Sequence, residues 1–471
     1  MKPMAALRQY ALPIFGIAVL GILVRSPVPL DETRYLAVAW DMWLNQDWLV
    51  PHLNGAPYSQ KPPLLFWMIS AGWHVFGVVE WWPRLLPAIA SWLSLGLTAI
   101  IAKHLNCPNN KGISVAIIFG AFAWPLYSTA LLFDMLMALW SLLGWVGLLK
   151  AAKRERFGWT LTTLSIGLGV LTKGPVILLY ILPPGLLAPF FLATRHPRLW
   201  YLKLLGSALG GAAIALAWAL PAAAQGGEAY ANDILWGQTA GRMQSSFSHD
   251  HPWWWYFPIL FALFFPWSFW PGFWKRLRPN IEDNSTHLFL LASCFLPFAI
   301  FCAMSGKQPH YLLPLLPIAA LAIAFHPDSQ SISPRIVRLK WLAPALLCVL
   351  MLVLPPLLLK AFQVKEMASK ISTLQAEGYS ILHAGKYHGD FQFVGRLKQP
   401  LQVRKGNPQI MEWIEKNPEG YILISDRKAS QIPTFPIAAL ESSEFVQPYR
   451  SGQLHLIAAS QALSPEDGGK E

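Results

Sequence analysis

The sequence predicts an α-helical polytopic membrane protein that carries a small α/β domain at its C-terminal end. Of its 471 residues, 54% are hydrophobic and only 13% are charged, whereas charged residues make up about 25% of a soluble domain. Apolar runs of membrane-spanning length recur up to about residue 360. After about residue 361, charges appear regularly and the apolar runs shorten. These three observations exclude a soluble enzyme with a single membrane anchor.

Eleven apolar runs are candidate membrane spans, and some are short enough to be tilted or re-entrant. They lie near residues 10–25, 84–102, 113–131, 134–150, 158–172, 175–193, 203–222, 257–274, 287–304, 310–325 and 341–359. The residues after Val24 do not form a convincing small-residue cleavage site. We therefore expect the first run to remain as an uncleaved span.

The Lys and Arg residues of the loops fall mainly on one face of the predicted bundle, which accounts for the net charge of +12 without a nucleic-acid partner. By the positive-inside rule this face is cytoplasmic, and it includes the N-terminus. An odd number of spans then places the C-terminal domain on the periplasmic face. We predict a bacterial inner-membrane protein with a transmembrane domain over residues 1–360 and a periplasmic α/β domain over residues 361–471.

Two outer loops interrupt the transmembrane domain, at residues 26–83 and 223–256. In the first loop, stretches 33–48 and 64–78 mix aromatic and polar residues at helical spacing. This pattern is typical of helices that lie in the membrane interface. The outer loops also carry the unusual polar residues of the chain, so we expect the chemistry there.

The C-terminal domain shows short apolar stretches at 401–403, 421–424 and 454–457, which predict β-strands. The stretch Pro408–Lys416 predicts a helix. Together they indicate a small α/β domain. We expect the tail after Leu463 to be disordered.

The acidic pair Asp31-Glu32 follows the first span and is the first candidate for chemistry. One of these carboxylates can act as a general base, or hold an attacking group, if its pKa suits. Alternatively, Asp31 caps a helix and Glu32 stabilises its positively charged first turn. The two interpretations are compatible.

Three lysines stand beside Gly or Pro at the outer ends of predicted spans or loops: Lys61, Lys173 and Lys307. Lys61 precedes two prolines, which restrict its backbone to extended geometry. Lysine binds phosphate as a point charge, although an interfacial lysine can also contact lipid headgroups. Three such lysines on the face that is poor in basic residues predict an anionic ligand, and Tyr311 adds a hydroxyl donor.

Asp134 stands at the outer start of a predicted span, where an acidic residue is either functional or a helix cap. His249 and His251 form an HxH pair that is only a weak indication of metal binding. The four cysteines lack metal-ligand spacing and read as small hydrophobic residues of helices. We therefore predict no metal site from the residues themselves.

Taken together, these segments resemble the GT-C-fold lipid-linked-sugar glycosyltransferases of the protein mannosyltransferase and lipid A aminoarabinose transferase type. The likeness covers the chain to about residue 325, and the first outer loop is its most specific part. The matching segments are Asp31–Tyr35, Asn45–Gly55, Tyr58–Pro63, Asp134, Leu171–Pro175, Trp236–Arg242, Pro252–Tyr256 and Lys307–Pro314.

The resemblance implies a sugar donor carried on polyprenyl phosphate, undecaprenyl phosphate in bacteria, and used at the outer face of the inner membrane. The acceptor would be lipid A, another envelope glycan or a protein. Asp31 would be the catalytic carboxylate. The residues implied to hold the donor phosphate, directly or in support, are Lys61, Arg242, Tyr311, Lys307 and Arg34. Glu32, Gln60, Asp134, Lys173 and Thr239 would shape the site.

Two positions depart from the family pattern. Gln60 stands where the lipid A transferases have Glu, and Thr239 stands where they have His. Those two positions are the ones implied as metal ligands in the family. Neutral amide and hydroxyl groups are poor zinc ligands, so a divalent metal is not supported here. The same departures leave the sugar and the acceptor open.

Two other functions fit parts of the sequence. A non-enzymatic transporter or flippase of a lipid-linked sugar would explain the spans and the outer cations, but it predicts an internal symmetry of spans that the sequence lacks. A structural or assembly protein whose outer domain binds partners would tolerate the loss of Lys61 and Lys307. The transferase is the interpretation that also accounts for the long first loop.

Overall fold

The computed structural model describes residues 3–107, 112–192, 196–241, 250–279, 285–358 and 362–463. The chain forms two compact units. The first unit comprises Met1–Leu23 and Ser59–Leu350, and the second comprises Val24–Tyr58 and Met351–Glu471. The tail after Leu463, which the sequence predicts to be disordered, lies outside the described residues.

Up to residue 358, the described chain is helical apart from one short hairpin of β1 (His52–Leu53) and β2 (Ala56–Pro57). The α-helices of this part are α1 (Pro3–Val24), α2 (Glu32–Asn45), α3 (Leu64–Phe76), α4 (Trp81–His104), α5 (Ile113–Gly120), α6 (Ala123–Ser128), α7 (Asp134–Ala152), α8 (Gly158–Lys173), α9 (Leu178–Phe191), α10 (Pro197–Asn232), α11 (Tyr256–Leu263), α12 (Pro271–Arg276), α13 (Ser285–Ala303), α14 (Leu316–Phe325), α15 (Pro334–Arg338) and α16 (Leu342–Leu358). A π-helix follows α10 at Asp233–Gly241. Short 3-10 helices lie at Pro175–Ile177, Trp253–Trp255, Trp267–Phe269, Pro309–Leu315, Pro327–Ser331 and Leu339–Trp341.

Six helices among the described residues are long and apolar enough to cross a membrane. They lie at Leu7–Val24, Trp81–His104, Asp134–Ala152, Pro197–Gly237, Ser285–Ala303 and Pro334–Val353. The chain is therefore a multi-pass membrane protein, as the sequence predicts. The remaining predicted runs form shorter or broken helices.

The run at 257–274 shows why such breaks occur. It divides into α11 and α12, with Pro266 between them and Pro271 at the start of α12. Proline has no backbone N–H and clashes with the preceding turn, so an α-helix does not continue smoothly through it. Apolar composition marks the extent of the run, and the prolines decide where it bends.

The predicted interfacial helices of the first loop exist as α2 and α3, but they fall in different units. We predicted that the whole loop 26–83 belongs to the transmembrane domain. Instead, residues 24–58 cluster with the C-terminal part of the chain. Specific hydrogen bonds hold this unit together, because the indole of Trp40 in α2 donates to the carbonyl of Leu397 at 2.8 Å.

A second link within this unit starts from the hairpin of β1 and β2. Its turn is Asn54-Gly55, and both residues have positive φ angles, 55° and 77°, as the favoured two-residue hairpin turn requires. The Asn54 amide nitrogen donates to the carbonyl of Leu401 at 2.9 Å, and the Leu401 N–H donates to Oδ1 of Asn54 at 2.8 Å. The side chain thus pairs with Leu401 as a strand backbone would.

The C-terminal part of the second unit holds a five-stranded sheet with the order β4-β3-β5-β7-β6. Strand β3 pairs in parallel with β4 and with the central strand β5, whereas β7 is antiparallel to β5 and β6. Its elements are α17 (Lys365–Ala376), β3 (Ile381–Ala384), β4 (Gln402–Arg404), α18 (Asn407–Lys416), β5 (Tyr421–Ser425), α19 (Asp426–Ala429), a 3-10 helix (Ile437–Leu440), β6 (Phe445–Tyr449), β7 (Gly452–Ala458) and α20 (Ala459–Leu463). The three predicted strands and the predicted helix correspond to β4, β5, β7 and α18.

The sheet is buried on both faces. Ile422 and Ile424 of β5 pack in a core with Trp413 of α18, whereas Leu423 points to a separate core with Phe391. This alternation follows from the two-residue period of a strand. Because both faces are covered, the domain has two small hydrophobic cores rather than one.

Candidate active site

In the first unit, a buried ion pair joins α7 to α8. Asp134 is the first residue of α7 and is only 3% exposed. Lys173 is the last residue of α8, and its Nζ lies 2.6 Å from Oδ1 of Asp134. His310 lies on the other side of the carboxylate, with its Nε2 3.7 Å from Oδ2. An acid, a lysine and a histidine thus share one buried position.

The local sequence explains why these side chains meet. Residues 153–157 join α7 to α8, and α8 ends where Gly174 adopts a φ angle of +82°. The acidic residue stands at a positive helix N-terminus and the lysine at a negative helix C-terminus, so both helix dipoles favour the pair. The buried pair therefore completes the ends of two helices as well as neutralising two charges.

Two further predicted site residues lie beside this pair. The Nζ of Lys173 lies 4.4 Å from the ring centroid of Tyr311, a distance typical of a cation–π contact. The Nζ of Lys61 lies 5.9 Å from the ring centroid of Phe133, the residue that precedes Asp134. The structure thus brings together four residues that the sequence selected from separate segments: Lys61, Asp134, Lys173 and Tyr311.

Sequence reasoning did not single out two members of this cluster. His310 precedes Tyr311 in the chain, and its ring lies 5.0 Å from the Tyr311 ring. The hydroxyl of Tyr180 in α9 donates to the Tyr311 carbonyl at 2.7 Å. The position of His310 next to a selected residue is a signal that could have found it. Tyr180 stands in an apolar helix and gives no such signal.

Lys307 occupies a different environment. It is 2% exposed, and its Nζ donates to the carbonyl of His251 at 2.8 Å and also to the carbonyl of Met304. Two of the three donors of its ammonium group are therefore used by the backbone. The ring of His251 stacks on Trp255 with 4.3 Å between centroids. In this arrangement, Lys307 and Trp255 hold the segment around His251, whereas His249 lies outside the described residues.

A hydrogen bond connects the Lys61 segment to the end of the long helix α10. The hydroxyl of Ser59 donates to Oδ2 of Asp233 at 2.9 Å. Asp233 begins the π-helix 233–241. Thr239 lies in this helix, but its side chain and the whole of Arg242 lie outside the described residues. Gln60, between Ser59 and Lys61, is exposed.

The donor set does not fit a zinc ion. Across the described residues, no three side chains of His, Cys, Asp or Glu come together as metal ligands. At the two positions implied by the family pattern, the chain offers the amide of Gln60 and the hydroxyl of Thr239. Amide and hydroxyl oxygens are not the thiolate, imidazole or carboxylate donors that zinc prefers.

An apolar cavity of about 410 Å³ lies elsewhere in the first unit. Helices α11, α12 and α13 and the segment after Tyr311 form its walls. Its lining includes Leu260, Phe264, Phe273, Phe295, Leu312 and Leu316. Such a cavity suits a hydrocarbon chain rather than a sugar or a phosphate.

In the second unit, the carboxylate of Asp31 is accessible. The residue precedes α2 and has the helical angles φ −97° and ψ −56°, and its side chain forms no capping hydrogen bond. Its Oδ1 accepts a hydrogen bond from the Tyr35 hydroxyl at 3.2 Å and lies 3.7 Å from Nη2 of Arg34. The side chain is 52% exposed. Asp31 therefore does not cap α2 through its side chain, which was the alternative interpretation of this residue.

The neighbouring Glu32 is buried and has a structural role. Its carboxylate receives a bidentate ion pair from Arg25, with distances of 2.5 and 3.0 Å. The N–H of Val28 donates to the same carboxylate at 2.7 Å. Planar bidentate pairs of this kind fix geometry as well as charge. Glu32 therefore shapes the turn that leads into α2.

Positive charge surrounds the start of α2 in this unit. Burial, followed by the charge of Arg34, lowers the pKa of His388 to about 4, although Asp390 opposes the shift. The imidazole of His388 is therefore neutral at physiological pH. Arg34 remains the cation nearest to Asp31 among the described ion pairs. An exposed carboxylate beside a fixed guanidinium can accept or orient a proton of a bound hydroxyl.

Comparisons with known proteins show what the chain as a whole is similar to. Residues 60–224 match the family model described as dolichyl-phosphate-mannose-protein mannosyltransferase. An undecaprenyl phosphate-alpha-4-amino-4-deoxy-L-arabinose arabinosyl transferase of Pseudomonas aeruginosa is 32% identical over 310 residues, which are 62% of this chain and 54% of the relative. The chain thus spans about half the length of the curated relatives that it matches.

Two solved structures share the fold. The crystal structure of ArnT from Cupriavidus metallidurans bound to undecaprenyl phosphate has a TM-score of 0.75 and 17% identity, and the match covers 97% of this chain and 99% of that chain. The oligosaccharyltransferase AglB of Archaeoglobus fulgidus, in complex with an inhibitory peptide and a dolichol-phosphate, has a TM-score of 0.52 and 14% identity, over 88% of this chain and 69% of that chain. The predicted resemblance is therefore confirmed.

Proposed function

Because the chain has the GT-C fold of the lipid-linked-sugar glycosyltransferases, we propose that it moves a monosaccharide from a polyprenyl phosphate donor to an envelope acceptor. The donor lipid is undecaprenyl phosphate, and the acceptor is lipid A, another glycan or a protein. The observation that carries the proposal is the buried cluster of Asp134, Lys173 and His310 beside Tyr311 and Lys61. A fold of this type with cations at helix ends suits a phosphate-bearing donor.

The reaction takes place at the periplasmic face of the bacterial inner membrane. The N-terminus is cytoplasmic and the C-terminal domain is periplasmic. The distribution of Lys and Arg among the loops supports this orientation through the positive-inside rule.

The donor phosphate is held by cations and a hydroxyl. Lys61 and Tyr311 supply an ammonium and a phenol, with Arg34 in support and Arg242 as a further cation. Lys173 supports the position of Tyr311 through the cation–π contact. Lys307 stabilises the adjoining loop, because two of its donors already bind backbone carbonyls. Fixed positive charge favours departure of the phosphate, since negative charge develops on it in the transition state.

Asp31 is the catalytic carboxylate. A hydroxyl of the acceptor transfers its proton to the Asp31 carboxylate while its oxygen attacks the anomeric carbon of the sugar. The bond between that carbon and the phosphate oxygen breaks, and polyprenyl phosphate leaves with the electron pair. The exposure of Asp31 and its contacts with Tyr35 and Arg34 support this role, because a general base must be reachable by the hydroxyl that it activates.

The hydrocarbon part of the donor needs an apolar environment. The apolar cavity of the first unit offers one, and its lining residue Leu312 is adjacent to Tyr311 in the chain. A polyprenyl chain that enters this cavity would leave its phosphate near the segment that carries Tyr311.

The test is sugar transfer by the purified full-length chain in nanodiscs, with polyprenyl-phosphate sugars as donors and extracted envelope lipids or glycans as acceptors. We expect product from the wild type and at least a 100-fold loss in Asp31→Asn, because removing a general base costs about 10² to 10⁴ in rate. The matched control is Glu412→Gln, an exposed carboxylate of α18 that pairs with Lys416. Undiminished transfer by D31N would remove Asp31 from the mechanism.

The same assay separates the transferase from the two other functions. A transporter or flippase yields no covalent product in a system without a second compartment. A scaffold protein yields none under any condition. Product formation by the purified chain would therefore exclude both as the sole function.

A further inference from the structure

The segment that carries Asp31 is held on both sides. Glu32 receives Arg25 and the N–H of Val28. On the other side, Leu30 adopts a φ angle of +86°, which is unusual for a residue with a branched side chain. A strained residue of this kind persists only when its surroundings hold it in place. Another group must therefore hold Leu30 in this conformation.

Asp390 provides that contact. It lies between β3 and β4 and is 2% exposed. Its Oδ1 accepts the N–H of Leu30 at 3.3 Å and the hydroxyl of Thr33 at 2.9 Å. One carboxylate oxygen therefore binds the residue immediately before Asp31 and the residue two positions after it.

The other oxygen of Asp390 connects to the edge of the sheet. Its Oδ2 accepts the hydroxyl of Tyr449 and lies 3.4 Å from Nη2 of Arg450, in the turn between β6 and β7. Burial and the negative charge of Asp390 raise the pKa of Tyr449 well above its usual value, so the phenol remains a donor. Asp390 thus joins the β6–β7 turn to the segment around Asp31.

The chain also makes room for this contact. Gly389 has a φ angle of +85°, and a Cβ there would come within 2.7 Å of Leu53 and 2.8 Å of Ala37. Only glycine fits this close approach to α2 and the hairpin. Gly389 therefore allows the neighbouring Asp390 carboxylate to contact the first loop.

We propose that Asp390 is a positioning residue for Asp31: it binds the backbone N–H of Leu30 before Asp31 and the side-chain hydroxyl of Thr33 after it, and it leaves the Asp31 carboxylate exposed. The proposal rests on the proposed transferase function. It assigns to the C-terminal domain a part in catalysis that none of the predicted site residues suggested. Asp390 acts through the backbone of its neighbours and is not itself a catalytic residue.

Three variants of the full-length chain in nanodiscs test the proposal. Asp390→Ala removes both bonds to the Asp31 segment, whereas Asp390→Asn keeps an acceptor oxygen for them. Thr33→Val removes one bond from the loop side without altering the sheet. The matched control is Glu444→Ala, because Glu444 is a carboxylate of the same domain that also accepts a hydroxyl, that of Tyr421 at 2.9 Å, but makes no contact with the Asp31 segment among the described hydrogen bonds.

Two measurements are made on each variant: the kinetics of sugar transfer, and hydrogen exchange of the peptide that spans residues 28–36. We expect D390A to speed exchange in this peptide and to lower kcat about 10- to 100-fold, as a misplaced catalytic group does. The KM for the donor should change less than kcat, because Lys61 and Tyr311, the main proposed ligands of the donor phosphate, lie outside this peptide. T33V should shift both readouts in the same direction by less, and D390N and E444A should remain near the wild type.

Unchanged exchange at residues 28–36 in both D390A and T33V would overturn the proposal, and so would faster exchange with unaltered kcat. If D390A does not fold, T33V decides the matter, and unchanged exchange at residues 28–36 in T33V would overturn the proposal. A wild-type chain that transfers no sugar from polyprenyl phosphate would instead overturn the proposed function. The exchange data distinguish that result from a failure of the Asp390 contact, since they do not depend on activity.

Discussion

The ammonium of Lys173 lies 2.6 Å from the carboxylate of Asp134, and the two side chains are only 11% and 5% exposed. Both charges are removed from water and depend on each other, with His310 as the third member. Taking two charges out of water is costly, so their mutual attraction and their hydrogen bonds must compensate. The pair is therefore a point at which stability and the proposed donor site are linked.

Removing one member of this pair should be far more damaging than removing both. We expect Asp134→Ala or Lys173→Ala to destabilise the chain by about 3 to 5 kcal/mol, because either variant leaves an uncompensated buried charge. The double variant D134L/K173L should recover much of the loss. Thermal unfolding in detergent provides the measurement. The control is Lys275→Ala, since the Lys275–Asp328 pair is 65% and 45% exposed and such pairs contribute about 1 kcal/mol or less.

Neutralising Lys61 should weaken catalysis more than folding. If Lys61 holds the donor phosphate, Lys61→Met should lower kcat/KM about 100-fold, which is the usual effect of losing one donor that stabilises developing charge. Lys61→Arg should retain more activity because the charge remains. The exposed Lys370 of α17, changed to Met, is the control. Transfer by K61M at the wild-type rate would contradict the assigned role.

The hydrogen bond between Ser59 and Asp233 should influence donor binding through the Lys61 segment. We expect Ser59→Ala and Asp233→Ala each to raise the KM for the donor several-fold, since a single hydrogen bond is worth about 1 kcal/mol. The double variant should be no worse than the more severe single variant, because both remove the same bond. Fully additive effects would show that the two residues act separately.

Chelation should leave the reaction unchanged. The amide of Gln60 and the hydroxyl of Thr239 do not supply the donors that a zinc ion needs. We expect transfer rates with and without EDTA to agree, and elemental analysis of the purified chain to find less than one metal ion per molecule. Loss of activity in EDTA with recovery on added zinc would show that other residues bind a metal.

Acidification should destabilise the C-terminal domain through His383. Burial lowers the pKa of His383 to about 4. The negative charge of Asp390 acts to raise this pKa, whereas the charges of Arg450 and His388 lower it further. The unfolded chain has the ordinary pKa of about 6.5, so it binds the proton first. Stability is therefore unaffected above about pH 6.5 and falls as the pH drops from there towards 4. The unfolding temperature of His383→Gln should decline less steeply over this window, and parallel curves for the two proteins would contradict the assignment.

The sequence reveals local features of this protein more readily than distant pairings. The recurrence of apolar runs and the two-residue alternation of β5 are visible because neighbouring residues set them. The approach of Asp134 to Lys173 was open to prediction, since both stand at the same end of adjacent spans. By contrast, Asn54 pairs with Leu401 across 347 residues of the sequence, and no periodicity marks such a contact.

The residues that sequence reasoning missed share a physical reason. Asp390 stands in the irregular segment between β3 and β4 and has no neighbouring motif, and its proposed role follows only from the groups that contact it. The grouping of residues 24–58 with the C-terminal part of the chain gives no signal in the sequence for the same reason, because hydropathy reports the composition of a segment and not the residues that it contacts. His310 is the exception, because it precedes a selected residue in the chain.

The dependence of the first loop on the C-terminal domain has a consequence during synthesis. The ribosome completes the Asp31 segment long before Asp390, Leu397 and Leu401 exist, since these follow it by more than 350 residues. At about 5 to 20 residues per second, the delay is tens of seconds. Over that time most of the bundle can insert into the membrane while α2 lacks its packing partners. Packing of the Asp31 segment is therefore among the last events in the biogenesis of this protein.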